Sequence, residues 1–140
     1  MRAAAVVLLL VAGCAVRPTL LPYVGDLDTF LAAHPLEPGQ NVRADEIGRT
    51  TGASYHVVQV RGGENPHRHM SHDLVVFVLR GSGTLDLAAG QRRPLAAGDA
   101  AVVPRGHVHW FTREGRAPAV ALVTFVPPLD GPDAVPAEVR

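Results

Sequence analysis

The sequence predicts an all-β domain, a β-sandwich or barrel, preceded by one short helix. Between residues 42 and 126 short runs rich in Val, Leu, Ile, Phe and Thr alternate with Gly-containing turn signals. Many short strands with little helix define that class. Two runs, VVFVL at 75–79 and VALV at 120–123, are almost unbroken apolar stretches. Such runs suit strands buried on both faces, or strands with one face packed on a partner.

The elements follow in order. Met1 and Arg2 give a minimal positive start, and residues 3–12 are an apolar run too short to span a bilayer as a helix. The run ends in Val11-Ala12-Gly13-Cys14, so residues 1–13 read as a signal peptide. Residues 15–23 form a tether in which Pro18 and Pro22 oppose helix. Residues 26–33 are a short helix with Asp26 or Asp28 as N-cap and Pro35 as its stop. Strands are expected at 42–49, 54–61, 74–80, 84–88, 100–103, 108–112 and 119–126, separated by Gly-containing turns such as Gly62-Gly63, Gly81-Ser82-Gly83 and Gly98-Asp99. Pro127-Pro128 ends the last strand, and 128–140, rich in Pro and acidic residues, is expected to be a loose tail. The organisation is therefore signal peptide 1–13, tether and helix 14–40, barrel 41–127 and tail 128–140.

Composition excludes several functions. Removal of thirteen residues leaves 127 of 140, enough for one domain with a real core. The net charge is zero, with no basic block or basic-aromatic stripe, so nucleic acid is not an expected partner. All thirteen basic residues are Arg; without Lys there is no Schiff-base lysine. Cys14 is the only cysteine, which excludes an intrachain disulfide.

The chemistry concentrates in GGENPHRHMSHDLVVFVLRG, residues 62–81. His67 and His69 are spaced i and i+2, which on a strand places both imidazoles on one face. His109, in GDAAVVPRGHVHWF, sits on another expected strand. Three imidazoles converging from two strands make a facial metal site, and neutral imidazole suits Zn, Fe, Cu and Ni. The other histidines read more plainly. His34 is a surface residue at a helix end and His56 a satisfied or exposed strand histidine, while His107 shares the parity of His109 and is open to being a second inward imidazole or part of the turn before that strand. Phe77, Trp110 and Phe111 are expected in the core or lining the barrel. Gly81-Ser82-Gly83 lacks the context of a phosphate loop, and the adjacent Ser71-His72-Asp73 has no reason to form a triad.

These segments resemble the two sequence motifs of the cupin superfamily. In the first motif His67-Arg68-His69 and the closing Gly81 match, with Gly62 one residue too close to His67. In the second, Gly98, Pro104, Gly106 and His109 match at the family spacing. The position that carries a metal-binding Glu in the family is Leu74 here, and the Asn of the second motif is Arg113. Leucine cannot ligate, so the fourth ligand is expected from His72, which shares the parity of Leu74, or from Asp73 if the strand bulges. The resemblance implies a double-stranded β-helix, a jelly-roll barrel, holding one divalent transition metal ion: Fe, Mn, Zn, Ni or Cu. It also admits a homodimer.

Cys14 resembles the lipidated cysteine of bacterial lipoproteins. With Ala15 rather than Asp after it, that resemblance implies a cell-envelope protein held by a lipid anchor alone, at the outer membrane where the organism has two membranes. The function implied is a metal-binding envelope lipoprotein acting on a small molecule, as an oxygenase or an isomerase/lyase. The alternatives are a non-catalytic metal or ligand binder and a structural barrel with a vestigial site.

Overall fold

A computed structural model of the chain describes residues 25–139. The expected signal peptide, the lipidation site Cys14 and the adjoining tether lie outside the described residues. Helix α1 (Leu27–Ala33) is capped by Asp26, whose carboxylate accepts from the Thr29 backbone N–H at 2.9 Å. It closes at His34, one residue before Pro35.

The strands are β1 (Val42–Arg49), β2 (Ser54–Val60), β3 (His67–His69), β4 (Asp73–Arg80), β5 (Ser82–Leu87), β6 (Gln91–Ala96), β7 (Ala100–Val103), β8 (His109–Glu114), β9 (Ala119–Val126) and β10 (Ala134–Pro136). They form two five-stranded sheets, β1-β2-β9-β4-β7 and β10-β3-β8-β5-β6, in which the pairings are antiparallel. This is the jelly-roll architecture expected from the sequence. Alternation assigns the faces: Leu74, Val76 and Val78 of β4 and Ala121, Val123 and Phe125 of β9 point into the barrel. Leu74, Leu85, Val103, Val123 and Phe125 form the buried centre, to which both sheets contribute. The opposite parity faces outward. There α1 buries Phe30 against Val57 and Val120, covering one end of the first sheet, and Arg80 ties the helix start to β4 through Asp28 at 2.7 Å.

Two strands, β6 and β10, were not expected, and two aromatics read as core or barrel lining, Phe77 and Trp110, are in neither. β6 carries Pro94 and two arginines, which read as loop. Its place at the edge of the second sheet explains how it tolerates Pro, since an edge residue need not donate to a further strand. The segment read as a loose tail contains β10, which pairs with β3 in the register Ala134↔His69 and Pro136↔His67 and forms the other edge of that sheet. β3 itself is only three residues long. Phe77 is 44% exposed, on the outer face beside Val75 and Val102. The even positions of β4 face inward, so the odd ones, apolar as they are, must face out. Phe111, by contrast, lines the interior.

Two glycines matter for this geometry. Gly106 takes φ +79° in the turn between β7 and β8, and its N–H donates to the His69 carbonyl at 2.7 Å, fastening that turn to β3. A Cβ at Gly83 would collide with the Phe111 ring and the Thr112 carbonyl, so close approach of β5 and β8 requires Gly there.

Candidate metal centre

His67 and His69 alternate with exposed Arg68 on β3, which turns both imidazoles inward. His109 opens β8 and pairs directly with His67 across the ladder. Ring centroids are 4.5 Å apart for His67 and His109, 5.1 Å for His67 and His69, and 5.5 Å for His69 and His109. One nitrogen from each ring lies within 4.8 Å of the others, close enough to hold one ion.

The tautomers fit a metal. Asn65 carbonyl oxygen is 2.8 Å from His67 Nδ1, and His107 carbonyl oxygen is 3.0 Å from His109 Nδ1. A carbonyl can only accept, so each Nδ1 carries the proton and each Nε2 keeps its lone pair. His69 Nδ1 is buried and has no hydrogen-bond partner. Burial, with the neighbouring His67 and His109, pushes His69 down to about 4. Burial likewise lowers His109. Both rings are thus kept neutral at physiological pH, the form a metal requires.

His72 and Asp73 do not join this cluster. His72 is buried, and its Nδ1–H donates to Asp133 at 2.5 Å; its Nε2 is 3.3 Å from the Pro128 carbonyl. Asp73 pairs with Arg105, accepting from its backbone N–H and its guanidinium at 2.8 Å, which holds the carboxyl down at about 2. Asp73 therefore secures the turn that delivers His109. Leu74 is core, 5% exposed. His107 is exposed on that turn, His56 is buried with its ring on Ser54 Oγ at 2.9 Å, and half-buried His34 stacks on Phe30.

Two carboxylates near the histidines were not assigned from sequence. Glu64, just before β3, accepts from the Phe111 N–H at 3.0 Å and lines the same interior as the histidines. Burial raises its pKa, against the pull of His67. Asp133 precedes β10, and its Oδ2 lies 3.8 Å from His69 Nδ1. Burial works to raise this carboxyl, but the hydrogen bonds from His72 and the Ser71 N–H outweigh it and leave the pKa lowered. Glu64 lies three residues before His67, but no local pattern gives it a role. Asp133 had no sequence signal, because it is 61 residues from His72 and reaches it only through β10 pairing.

The histidines open onto a cavity of about 330 Å³ between the sheets. Its polar groups are Glu64, His67, His69, His109 and Asp133; every other lining side chain is Val, Leu, Ala, Phe or Pro. Such a site, mostly apolar with a few convergent polar groups, suits a small ligand.

Two facing antiparallel sheets around an apolar interior, with a three-histidine cluster, define a jelly-roll barrel equipped for a metal. The family model described as Cupin domain matches residues 54–125, and the chain belongs to that family. A protein of Aquifex aeolicus (strain VF5), described only as uncharacterized, is 35% identical over 99 residues, covering 71% of this chain and 80% of its own length. Among solved structures, KdgF from Halomonas sp. is similar with a TM-score of 0.60 and 28% identity, over 68% of this chain and 84% of that one. TT1209 from Thermus thermophilus is similar with a TM-score of 0.64 and 23% identity, over 76% of this chain and 98% of that one.

The neutral imidazoles carry a pH dependence. An unfolded histidine titrates near 6.5, whereas His69 in the fold titrates near 4. Between those values the unfolded chain holds the extra proton, so the metal-free protein loses stability as pH falls from about 6.5 to 4. The loss from His69 is on the order of 2–3 kcal/mol, and the lowered His109 and His56 act in the same direction. Glu64 opposes them, because its raised pKa gives stability that is lost as pH rises. Denaturant melts of metal-free protein should show this acid loss, and it should steepen in Glu64→Gln. Flat stability from pH 7 to 4.5 would mean the histidines are not buried in neutral form.

Proposed function

We propose that the chain is a metal-dependent cupin of the cell envelope that binds a small oxygen-bearing molecule in its barrel and moves a proton on it. This is the isomerase or lyase form of the chemistry expected from sequence. The observation that carries the reading is Glu64, a carboxyl that burial holds toward its neutral form, lining one cavity with the three clustered imidazoles. A divalent transition ion would be held by His67, His69 and His109 and would supply Lewis acidity toward a ligand oxygen. The chain's own residues supply the remainder. Phe111 N–H fixes one oxygen of Glu64, which leaves the other to exchange a proton with the ligand. The Val, Leu and Phe walls exclude water around that exchange. A non-catalytic binder would not need a carboxyl in this state.

Lipidation at Cys14 would anchor the barrel at the envelope, on the outer membrane where there are two. The exposed stripe of Val75, Phe77 and Val102 supports a homodimer. One preparation tests both main elements: protein isolated without a His tag, subjected to elemental analysis and intact mass measurement. One transition metal per chain and an acyl mass increment at Cys14 are expected. No metal after reconstitution would leave a barrel with a vestigial site. Soluble, unacylated mature protein would overturn the anchor.

A further inference from the structure

We propose that the natural ligand has a single polar head: a molecule of about ten non-hydrogen atoms whose hydrocarbon body carries one oxygen-bearing group. For its head group the proposal rests on the metal-centre reading above; for its body it rests on the cavity walls alone. Size comes from the volume. At the ~30 Å³ that a water molecule occupies in the liquid, the ≈330 Å³ cavity holds about ten non-hydrogen atoms.

Polarity comes from the walls. The five polar lining residues form one group: the histidines cluster, Asp133 lies 3.8 Å from His69, and Glu64 is held at 3.0 Å on the N–H of Phe111, two residues beyond His109 on β8. The rest of the lining is hydrocarbon, supplied by residues such as Val58, Val76, Leu85, Val103 and Val123. A sugar would lay several hydroxyls against these walls. Each hydroxyl stripped of water without a partner costs roughly five- to a hundredfold in affinity. A hydrocarbon body loses nothing there and gains roughly fourfold per methylene buried.

Among the described residues no arginine lines the cavity, so the polar head would meet the ion, Glu64 and Asp133 rather than a guanidinium. A hydroxyl head can hydrogen-bond Glu64.

Calorimetric titration of the full-length zinc-loaded protein with linear alkanols from butanol to dodecanol tests this, with glucose, glucose 6-phosphate and the matching alkanoates as comparators. Affinity is expected to rise about fourfold per methylene, to stop rising near ten non-hydrogen atoms, and to exceed that for either sugar at least a hundredfold. The same slope is expected in metal-free protein, because the body does not touch the ion. Affinity independent of chain length, or a sugar that binds better than octanol, overturns the proposal even where zinc binds one per chain. Alkanoates are expected to show the same rise with chain length, and a flat alkanoate series overturns the hydrocarbon body. Failure to bind zinc, with the chain-length slope intact in metal-free protein, overturns the metal reading and sustains the hydrocarbon body.

Discussion

Replacing His67, His69 or His109 singly by Ala is expected to remove most of the protein's affinity for a transition metal. The three nitrogens lie within 4.8 Å of one another, and neither His72 nor Asp73 stands ready to replace one. Loss of a residue that only orients a ligand typically costs 10–100-fold in affinity, so loss of a ligand should cost more. Folding should survive, because the centre of the barrel is made by Leu74, Leu85, Val103, Val123 and Phe125. The check is competitive titration of each variant with Zn, Mn and Fe, with circular dichroism and melts run alongside. Wild-type affinity in any of the three would remove that histidine from the site. His107→Ala, on the exposed turn, should leave affinity unchanged.

The cluster was legible in the sequence because each part has a local cause. An i, i+2 pair can lie on one face of any strand. The Pro104-Arg105-Gly106 turn returns the chain so that His109 faces His67. The fold was legible for a similar reason: strand runs and Gly turns are local signals. What escaped was non-local. Asp133 and β10 acquire their places only by pairing with β3 across more than sixty residues, and a three-residue strand ending in Pro carries no periodicity. β6 escaped because Pro94 excludes an interior strand but not an edge. Phe77 was misread because the run from Val75 to Leu79 is apolar at every position, so period two does not say which parity is inside. The polar neighbours do not break that tie, because His72 and Asp73 stand at opposite parities.

Phe125→Ala is expected to be the most damaging of the core substitutions. Phe125 is 7% exposed, pairs in register between Ser54 of β2 and Leu74 of β4, and belongs to the buried centre. Its ring also packs against three histidines. It meets His56, His69 and His72 at centroid separations of 5.0, 5.4 and 6.0 Å, edge-on in each case. Truncating a buried Phe costs about 3–5 kcal/mol. The loss should not stop at stability, because His69 would lose the wall that fixes its ring, and metal affinity should fall with it. Phe77→Ala makes the same chemical change on the outer face, where Phe77 is 44% exposed, and should cost less than Phe125→Ala with no effect on the metal. Denaturant melts of the two variants, read beside their zinc affinities, separate the faces of the first sheet. Equal destabilisation by both, or unchanged zinc affinity in Phe125→Ala, would show that the aromatic ring does not support the histidines from within the barrel.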